Sequence, residues 1–581
     1  MIEKTKRRRV AALQLRKPSQ VRGSPEISSA TFSCNVPFLI QIGAFVVRKT
    51  DISGNFVQFA WWALATIVFI LVVAIRIRLL GIPLERDEGE YAYAGQLILQ
   101  GIPPYELAYN MKFPGTYAAY ALIMSIFGQT IHAIHLGLLL INVATATLIF
   151  FLGRRLLNTM AGLVAALSYS VLSVCPSVLG FAAHASHFVM LPVLGGTLLL
   201  MRGRNRPGLG RLFASGLLFG LALLMKQPGA LFIIFAAAYL ISEELHERRT
   251  LRGLSVRILI FGCAVILPFA ITCLVLLRAG VFQRFSFWTI DYAREYGSLV
   301  PLKLTPQFFL QRANEVIGAG WALWMLAGIG AVAGLWNERM RASTLFILGF
   351  LVVSVLALCP GFYFRHHYFI FVLPAVSLLV GLATSALSDL LIRRAMAVAF
   401  VPIILVAASL SRPIVWYKQI FFDVSPAEAS RMIYADSPFP EAVRIGDYLR
   451  EHTSPDETIA VLGSEPEIYF YSQRHSATGY IYTYALMEPQ KYARRMQEEM
   501  ISEIERANPR YLVSVAMYDS WLPRPGSDQR IFKWASEYTA HNYSAVGFVN
   551  ITPTGSDHYF GDIPASVGVL ENYILIYQRN R

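Results

Sequence analysis

The sequence predicts a polytopic α-helical membrane protein, with about eleven transmembrane helices followed by an extracytoplasmic α/β domain. Three observations predict it. Of 581 residues, 55% are hydrophobic and only 15% charged, whereas soluble domains carry about a quarter charged residues. Apolar runs of membrane length recur between residues 57 and 413. When these runs are threaded alternately, the short basic loops between them fall on one side.

Residues 1–56 read as a basic cytoplasmic tail, carrying Lys4, Lys6, Arg7, Arg8, Arg9, Arg16, Lys17 and Arg22. They lack the apolar core and small-residue cleavage site of a signal peptide. Segment 36–47 is apolar but would be a helix of only about 18 Å, short of a hydrocarbon core of about 30 Å. It is expected to form an interfacial helix at most.

The candidate spans are 57–80, 131–152, 160–179, 184–201, 210–225, 228–242, 255–279, 316–335, 342–360, 367–387 and 395–413. This threading places the N-terminal tail, Gly153-Arg154-Arg155, 202–206, 246–249, 338–341 and Arg393-Arg394 on one side, which the positive-inside bias makes cytoplasmic. The opposite side receives loop 81–130, the turn near His184, Lys226-Gln227-Pro228-Gly229, loop 280–315, Arg365-His366-His367 and everything after 413. Segment 117–127 is apolar, but counting it as a span would put Arg154 and Arg155 outside. It is expected to lie along the outer interface.

The net charge of +14 is carried largely by these loops, and no RNA- or DNA-reading motif is present. The partner this implies is the lipid bilayer, not nucleic acid. Cys34, Cys175, Cys263, Cys273 and Cys359 form no CxxC pair, and none lies in the polar C-terminal region. That argues against a disulfide framework or a cysteine zinc site.

Residues 414–581 are expected to form the outer α/β domain, behind a transmembrane domain over 57–413. The pattern predicts helices over 441–451 and 489–506 and strands over 458–462, 511–515 and 573–577. About 150 residues suffice for one such domain. A lid, a second binding module and a structural cap all fit it.

Chemistry-bearing residues gather on the expected outer face. Arg86-Asp87-Glu88-Gly89-Glu90-Tyr91 follows the first span directly. Asp87 and Glu90 also fit a capping box for a helix over 91–100, and a capping carboxylate can still point into a cavity. Lys112 stands among apolar and aromatic residues, where it can snorkel to headgroups or contact a lipid-linked phosphate. His184 and His187, at i and i+3, can share a metal, but no HExxH accompanies them. Packing and substrate hydrogen bonding compete with that reading, and no metal ligand is assigned. Loop 282–314 carries Arg284, Trp288, Asp291, Tyr292, Arg294, Glu295, Tyr296 and Lys303. Aromatics among charges suit sugar recognition and equally an interfacial belt.

Residues 86 to about 202 resemble the N-terminal half of bacterial family 39 glycosyltransferases of the GT-C superfamily. Relatives there include lipid A aminoarabinose transferases and protein O-mannosyltransferases. The matching elements are Asp87-Glu88 after the first span, Tyr91 in the next helix, Lys112-Phe113-Pro114, Phe127-Gly128 and Leu152-Gly153-Arg154-Arg155-Leu156. Further on, Lys226-Gln227-Pro228 resembles the family's Thr-Lys-Gly-Pro turn. Arg365-His366-His367-Tyr368-Phe369 with Leu373-Pro374 resembles its Arg/His-Tyr segment ending in proline.

The resemblance implies inverting transfer of a hexosyl or pentosyl unit from a polyprenyl-phosphate donor to a lipid, glycan or protein acceptor. The site would lie on the periplasmic face of the inner membrane. Asp87 would be the general base, a role worth roughly 10²–10⁴-fold, with Glu88 orienting the acceptor or a metal. Lys112, Arg365 and His366 would stabilise the phosphate leaving group, and Tyr91, His184, His187 and Asp291 would contact substrate. The reading assigns no cofactor and is compatible with a divalent cation. The chain departs from the family at Phe181-Ala182-Ala183-His184-Ala185-Ser186-His187, where a second acidic residue is often found. A second carboxylate, if the reaction needs one, must then come from Glu88, or from Asp291 or Glu295 in loop 280–315.

The alternative is a transporter or flippase without chemistry. Here the charges sit mostly at span ends, the halves look dissimilar and an outer domain is appended, which favours an enzyme. A binding or sensory protein would leave the ordered loop motifs unexplained. A periplasmic reporter fused after Pro413 should be active and a cytoplasmic reporter silent; the reverse overturns the eleven-span threading.

Overall fold

The computed structural model describes residues 37–201, 208–246, 250–391, 396–552, 555–563 and 571–580. It has two compact units, 1–56 and 57–581. In the first, the described residues are helical, and Pro37 opens a helix, Pro37–Arg78, where only a short interfacial helix at 36–47 is expected. The charges Arg48, Lys49 and Asp51 end the apolar run but not the helix, because Lys and Arg are good helix formers and proline occurs only at its first position. Residues 1–36 of the expected tail, and the basic segments 202–206, 247–249 and 393–394, lie outside the described residues.

Among the described residues, eight helices are long and apolar enough to cross a membrane: Asn55–Arg78, Ile131–Leu156, Gly229–His246, Leu251–Arg278, Leu302–Trp336, Glu338–Leu356, Leu373–Leu391 and Val398–Trp416. The other three expected spans are helical but shorter: Thr159–Leu172, Ala185–Leu200 and Leu209–Met225. Their 14, 16 and 17 residues make about 21–26 Å, less than a full core. The expected span over 160–179 is cut short because Pro176 opens a separate 3₁₀ turn, Pro176–Val178. The span expected from 367 begins as a helix only at Leu373, after the 3₁₀ turn His366–Phe371. Gly115–Phe127 is a separate short apolar helix.

The C-terminal region contains the helices Phe439–His452 and Ala493–Ala507. Among the described residues its six strands are β1 (Thr458–Leu462), β2 (His475–Ser476), β3 (Tyr511–Ala516), β4 (Tyr543–Thr552), β5 (Gly555–Phe560) and β6 (Asn572–Arg579). Their order is β2-β1-β3-β6-β4-β5. β1 runs parallel to β2 and β3, whereas the β3–β6, β6–β4 and β4–β5 pairs are antiparallel. The sequence reading misses β4 because a register shift between Ala545 and Gly547 interrupts its alternation.

This sheet domain grips the helix Arg86–Leu99. Arg86 bonds the Ser464 carbonyl (2.5 Å), the Glu465 carboxylate (3.0 Å) and the Tyr484 hydroxyl (2.8 Å). The Ser476 amide donates to the Tyr93 hydroxyl at 2.8 Å, and the Leu84 amide to Tyr471 at 2.8 Å. Gly89 lets the backbones meet, since a Cβ there would lie 2.6 Å from the Glu467 amide nitrogen. Gly89→Ala is therefore expected to force the helices Arg86–Leu99 and Glu467–Ser472 apart, at about 1–3 kcal/mol. A lowered midpoint of thermal unfolding in detergent checks this, and an unchanged one rejects the close contact.

Candidate active site

The helix carrying the acidic motif starts one turn earlier than the sequence suggests. Its N-cap is Glu85, which accepts the Glu88 amide at 2.9 Å, while the Glu88 carboxylate accepts the Glu85 amide at 3.3 Å. This Glu85–Glu88 box replaces the expected Asp87–Glu90 box and leaves both of those residues for other partners. Glu88 turns inward: Oε1 accepts the Ala183 amide (2.6 Å) and faces His135 Nε2 (3.1 Å). It is 1% exposed and lies outside the cavity lining. Glu88, expected to act on or orient the acceptor, thus caps the helix and ties it to the turn before Ala185–Leu200, away from the cavity wall.

Asp87 lines a cavity of about 270 Å³, together with Tyr91, Lys112, Lys226, Arg365 and His367. Lys112 Nζ lies 2.8 Å from Asp87 Oδ1 and 2.6 Å from Glu90 Oε2, and 4.5 Å from the centre of the Tyr91 ring. Glu90 also accepts from Asn110 Nδ2 (2.8 Å) and the Tyr117 hydroxyl (2.5 Å). The Tyr482 hydroxyl donates to Asp87 Oδ1 at 3.2 Å. Burial disfavours charge on Asp87, but the Lys112 ammonium, together with His184 and Arg365, overcomes it and holds the carboxyl well below its usual range. Burial likewise opposes the Lys112 charge, and Asp87 with Glu90 overcomes it, keeping the ammonium protonated. Burial pushes the Glu90 carboxyl up from its usual range, against the pull of the same ammonium.

The second carboxylate beside Asp87 is therefore Glu90, in place of Glu88, Asp291 or Glu295. Asp291 is exposed and outside the cavity lining, and Glu295 pairs with Lys491 at 2.9 Å. From the same loop, Trp288, Thr289, Tyr292 and Tyr296 line the cavity instead. Asp291 sits in a π-helical turn, Phe287–Tyr292, which directs Trp288, Thr289 and Tyr292 inward.

Two other cations line the cavity without a carboxylate ion pair among the described residues. Lys226 Nζ sits 3.9 Å above the Tyr368 ring, and the Arg365 guanidinium lies 5.6 Å from the Tyr363 ring. Burial pulls the Lys226 ammonium down to about 7, with Asp87 opposing. His366 instead faces Glu315 at 2.7 Å, outside the cavity lining. Its neighbour His367 takes the place in the cavity wall, because consecutive residues of a 3₁₀ turn point about 120° apart.

The pairing of His184 with His187 that their spacing allows does not form around a common point. His187 is fully buried and, among the described residues, has no hydrogen-bond partner on either ring nitrogen. His184 stacks on His367, centroids 3.9 Å apart at 16°, with Nδ1 3.8 Å from Asp87 Oδ2. Asp87, His184 and His367 thus bring three donor atoms within 4.8 Å of one another. Carboxylate and imidazole suit a divalent transition cation. The rings do not: a cation in the plane of one stacked imidazole lies off the plane of the other.

Sequence reasoning assigned Glu90 to a cap and placed Lys226 only as part of a turn. It had no signal for Tyr482 or Glu488, which reach the cavity from the C-terminal region.

Known proteins share this architecture. Residues 112–277 match the family model of dolichyl-phosphate-mannose-protein mannosyltransferases. No curated protein matches the chain. Among solved structures, ArnT from Cupriavidus metallidurans in the apo state has a TM-score of 0.55 at 13% identity, covering 89% of this chain and 98% of that one. The same protein bound to undecaprenyl phosphate gives 0.51 at 14% identity, covering 89% and 97%. The Archaeoglobus fulgidus oligosaccharyltransferase tethered to an acceptor peptide gives 0.50 at 14% identity, covering 87% and 75%. The chain is a multi-pass membrane protein with the fold of the GT-C glycosyltransferases. The resemblance read from the loop motifs stands at the level of that superfamily.

Lys112→Gln removes the ammonium that keeps Asp87 ionised. The acid limb of the kcat/KM profile is expected to move up by a unit or more on a pH axis, about 1.4 kcal/mol per unit. A pH series on both proteins checks this, and an unmoved limb rejects Lys112 as the group that sets the Asp87 charge.

Proposed function

We propose that this chain transfers a sugar, with inversion, from a polyprenyl-phosphate-linked donor to an acceptor hydroxyl at the extracytoplasmic face. One observation carries the reading: an ionised carboxylate, Asp87, shares a cavity with two cations, Lys226 and Arg365, that have no carboxylate ion pair among the described residues. A base and a phosphate clamp in one pocket are what glycosyl transfer from a phosphate requires. The bundle over 57–413 would hold the donor, and the domain over 414–581 would close the acceptor side.

In this mechanism Asp87 takes the acceptor proton as the acceptor oxygen attacks the anomeric carbon. The bond from that carbon to the phosphate oxygen breaks on the opposite face, and its electron pair leaves with the phosphate. The products are the new glycoside and the polyprenyl phosphate, with the proton on Asp87. Lys226 and Arg365 meet the charge that develops on the leaving phosphate. The phosphate role read for Lys112 and His366 thus moves to Lys226, joined by Arg365. Lys112 serves Asp87 instead. A donor phosphate near Lys112 would compete for its ammonium, loosening its hold on Asp87 and raising the basicity of the carboxylate toward the useful range.

Asp87→Asn is expected to lower transfer by roughly 10²-fold or more while expression and unfolding temperature persist; full turnover in that variant removes Asp87 as base. Lys226→Ala and Arg365→Ala should each raise the donor KM roughly tenfold with a smaller change in acceptor KM, a loss on the scale of a charge-assisted hydrogen bond. Because Lys226 must be protonated to hold phosphate, donor affinity should weaken as the pH rises through about 7. Titration of donor binding between pH 6 and 9 checks the sign.

A further inference from the structure

A second carboxylate lines the same cavity. Glu488 is 6% exposed, and its Oε2 accepts the Tyr292 hydroxyl at 2.6 Å. Among the described residues its Oε1 takes no hydrogen bond, which leaves that oxygen for a ligand in the cavity. Burial pushes the Glu488 carboxyl up from its usual range, with the Tyr292 hydroxyl, Arg524 and Arg365 opposing. In either protonation state the free oxygen can accept a neutral hydroxyl donor.

Aromatic rings flank this carboxylate. Tyr296 lines the cavity and is backed by Tyr363, stacked at 4.9 Å and 22°. Trp288 also lines it, held edge-on by Tyr292 at 5.0 Å. Rings braced in this way are preorganised platforms. A pyranose presents a flat C–H face and a rim of hydroxyls, and the wall offers a matching surface for each.

The stretch 482–488 joins this end of the cavity to the base, since Tyr482 reaches Asp87 and Glu488 lies six residues on. Its backbone offers little to an extended peptide: the amides of Leu486 and Glu488 are taken by the carbonyls of Thr483 and Tyr484, and that of Gln490 by Glu488.

We propose that Glu488, Tyr292 and Tyr296 form an acceptor subsite for a saccharide, so that the acceptor hydroxyl delivered to Asp87 belongs to a glycan. The proposal rests on the transferase reading for its role, but binding is measured independently of transfer. The full chain in lipid nanodiscs is titrated calorimetrically with a panel of methyl pyranosides and disaccharides, and with a Ser/Thr peptide amide of similar size. The expected result is saturable binding of at least one saccharide, weakened about tenfold by Glu488→Gln and by Tyr296→Ala, with no peptide binding. Absence of saccharide binding, or binding indifferent to both substitutions, overturns the subsite. Transfer to the peptide by a chain that binds no saccharide overturns the subsite and leaves the transferase standing. A saccharide that binds through Glu488 and Tyr296, but is never glycosylated when donor is added, supports the subsite and sinks the transferase.

Discussion

The site depends on one ammonium placed between two carboxylates. Without Lys112, Asp87 and Glu90 would face each other across a buried pocket, and like charges in low dielectric cannot both remain ionised at neutral pH. With it, Asp87 stays charged, Glu90 is fixed by three donors, and Tyr91 forms a floor under the cation. The same pairing lowers the basicity of Asp87. In the proposed reaction its strength depends on what else competes for the ammonium.

The C-terminal sheet domain is part of the cavity. Arg86 and Gly89 join the acidic helix to the segment 464–472, and Tyr482 touches Asp87 itself. A small shift of the sheet domain would carry both the helix N-terminus and the cavity wall with it. Buried ion pairs such as Arg86–Glu465 add little net stability but tolerate few alternative geometries. That suits a contact whose task is alignment.

Histidine placement follows local geometry closely. His366 and His367 are adjacent in sequence, yet one meets Glu315 and the other stacks on His184 in the cavity wall. The same holds for Asp291, whose neighbours Trp288 and Tyr292 point inward while it points to solvent. A loop motif identifies a neighbourhood; the turn type decides which member of it reaches the site.

By itself, the sequence determined the membrane character, most of the helical segments, five elements of the C-terminal domain and the gathering of Asp87, Lys112 and Arg365 near one face. These follow from hydropathy, period and loop charge, which are local properties of the chain. Only the tertiary structure decided that Glu85 caps the helix, that Glu90 and not Glu88 accompanies Asp87, and that Lys226, Tyr482 and Glu488 complete the cavity. Those outcomes turn on which distant side chains burial brings within a few ångströms of each other. Charges in a low-dielectric pocket choose partners by distance in space, and separation along the chain carries almost no information about it.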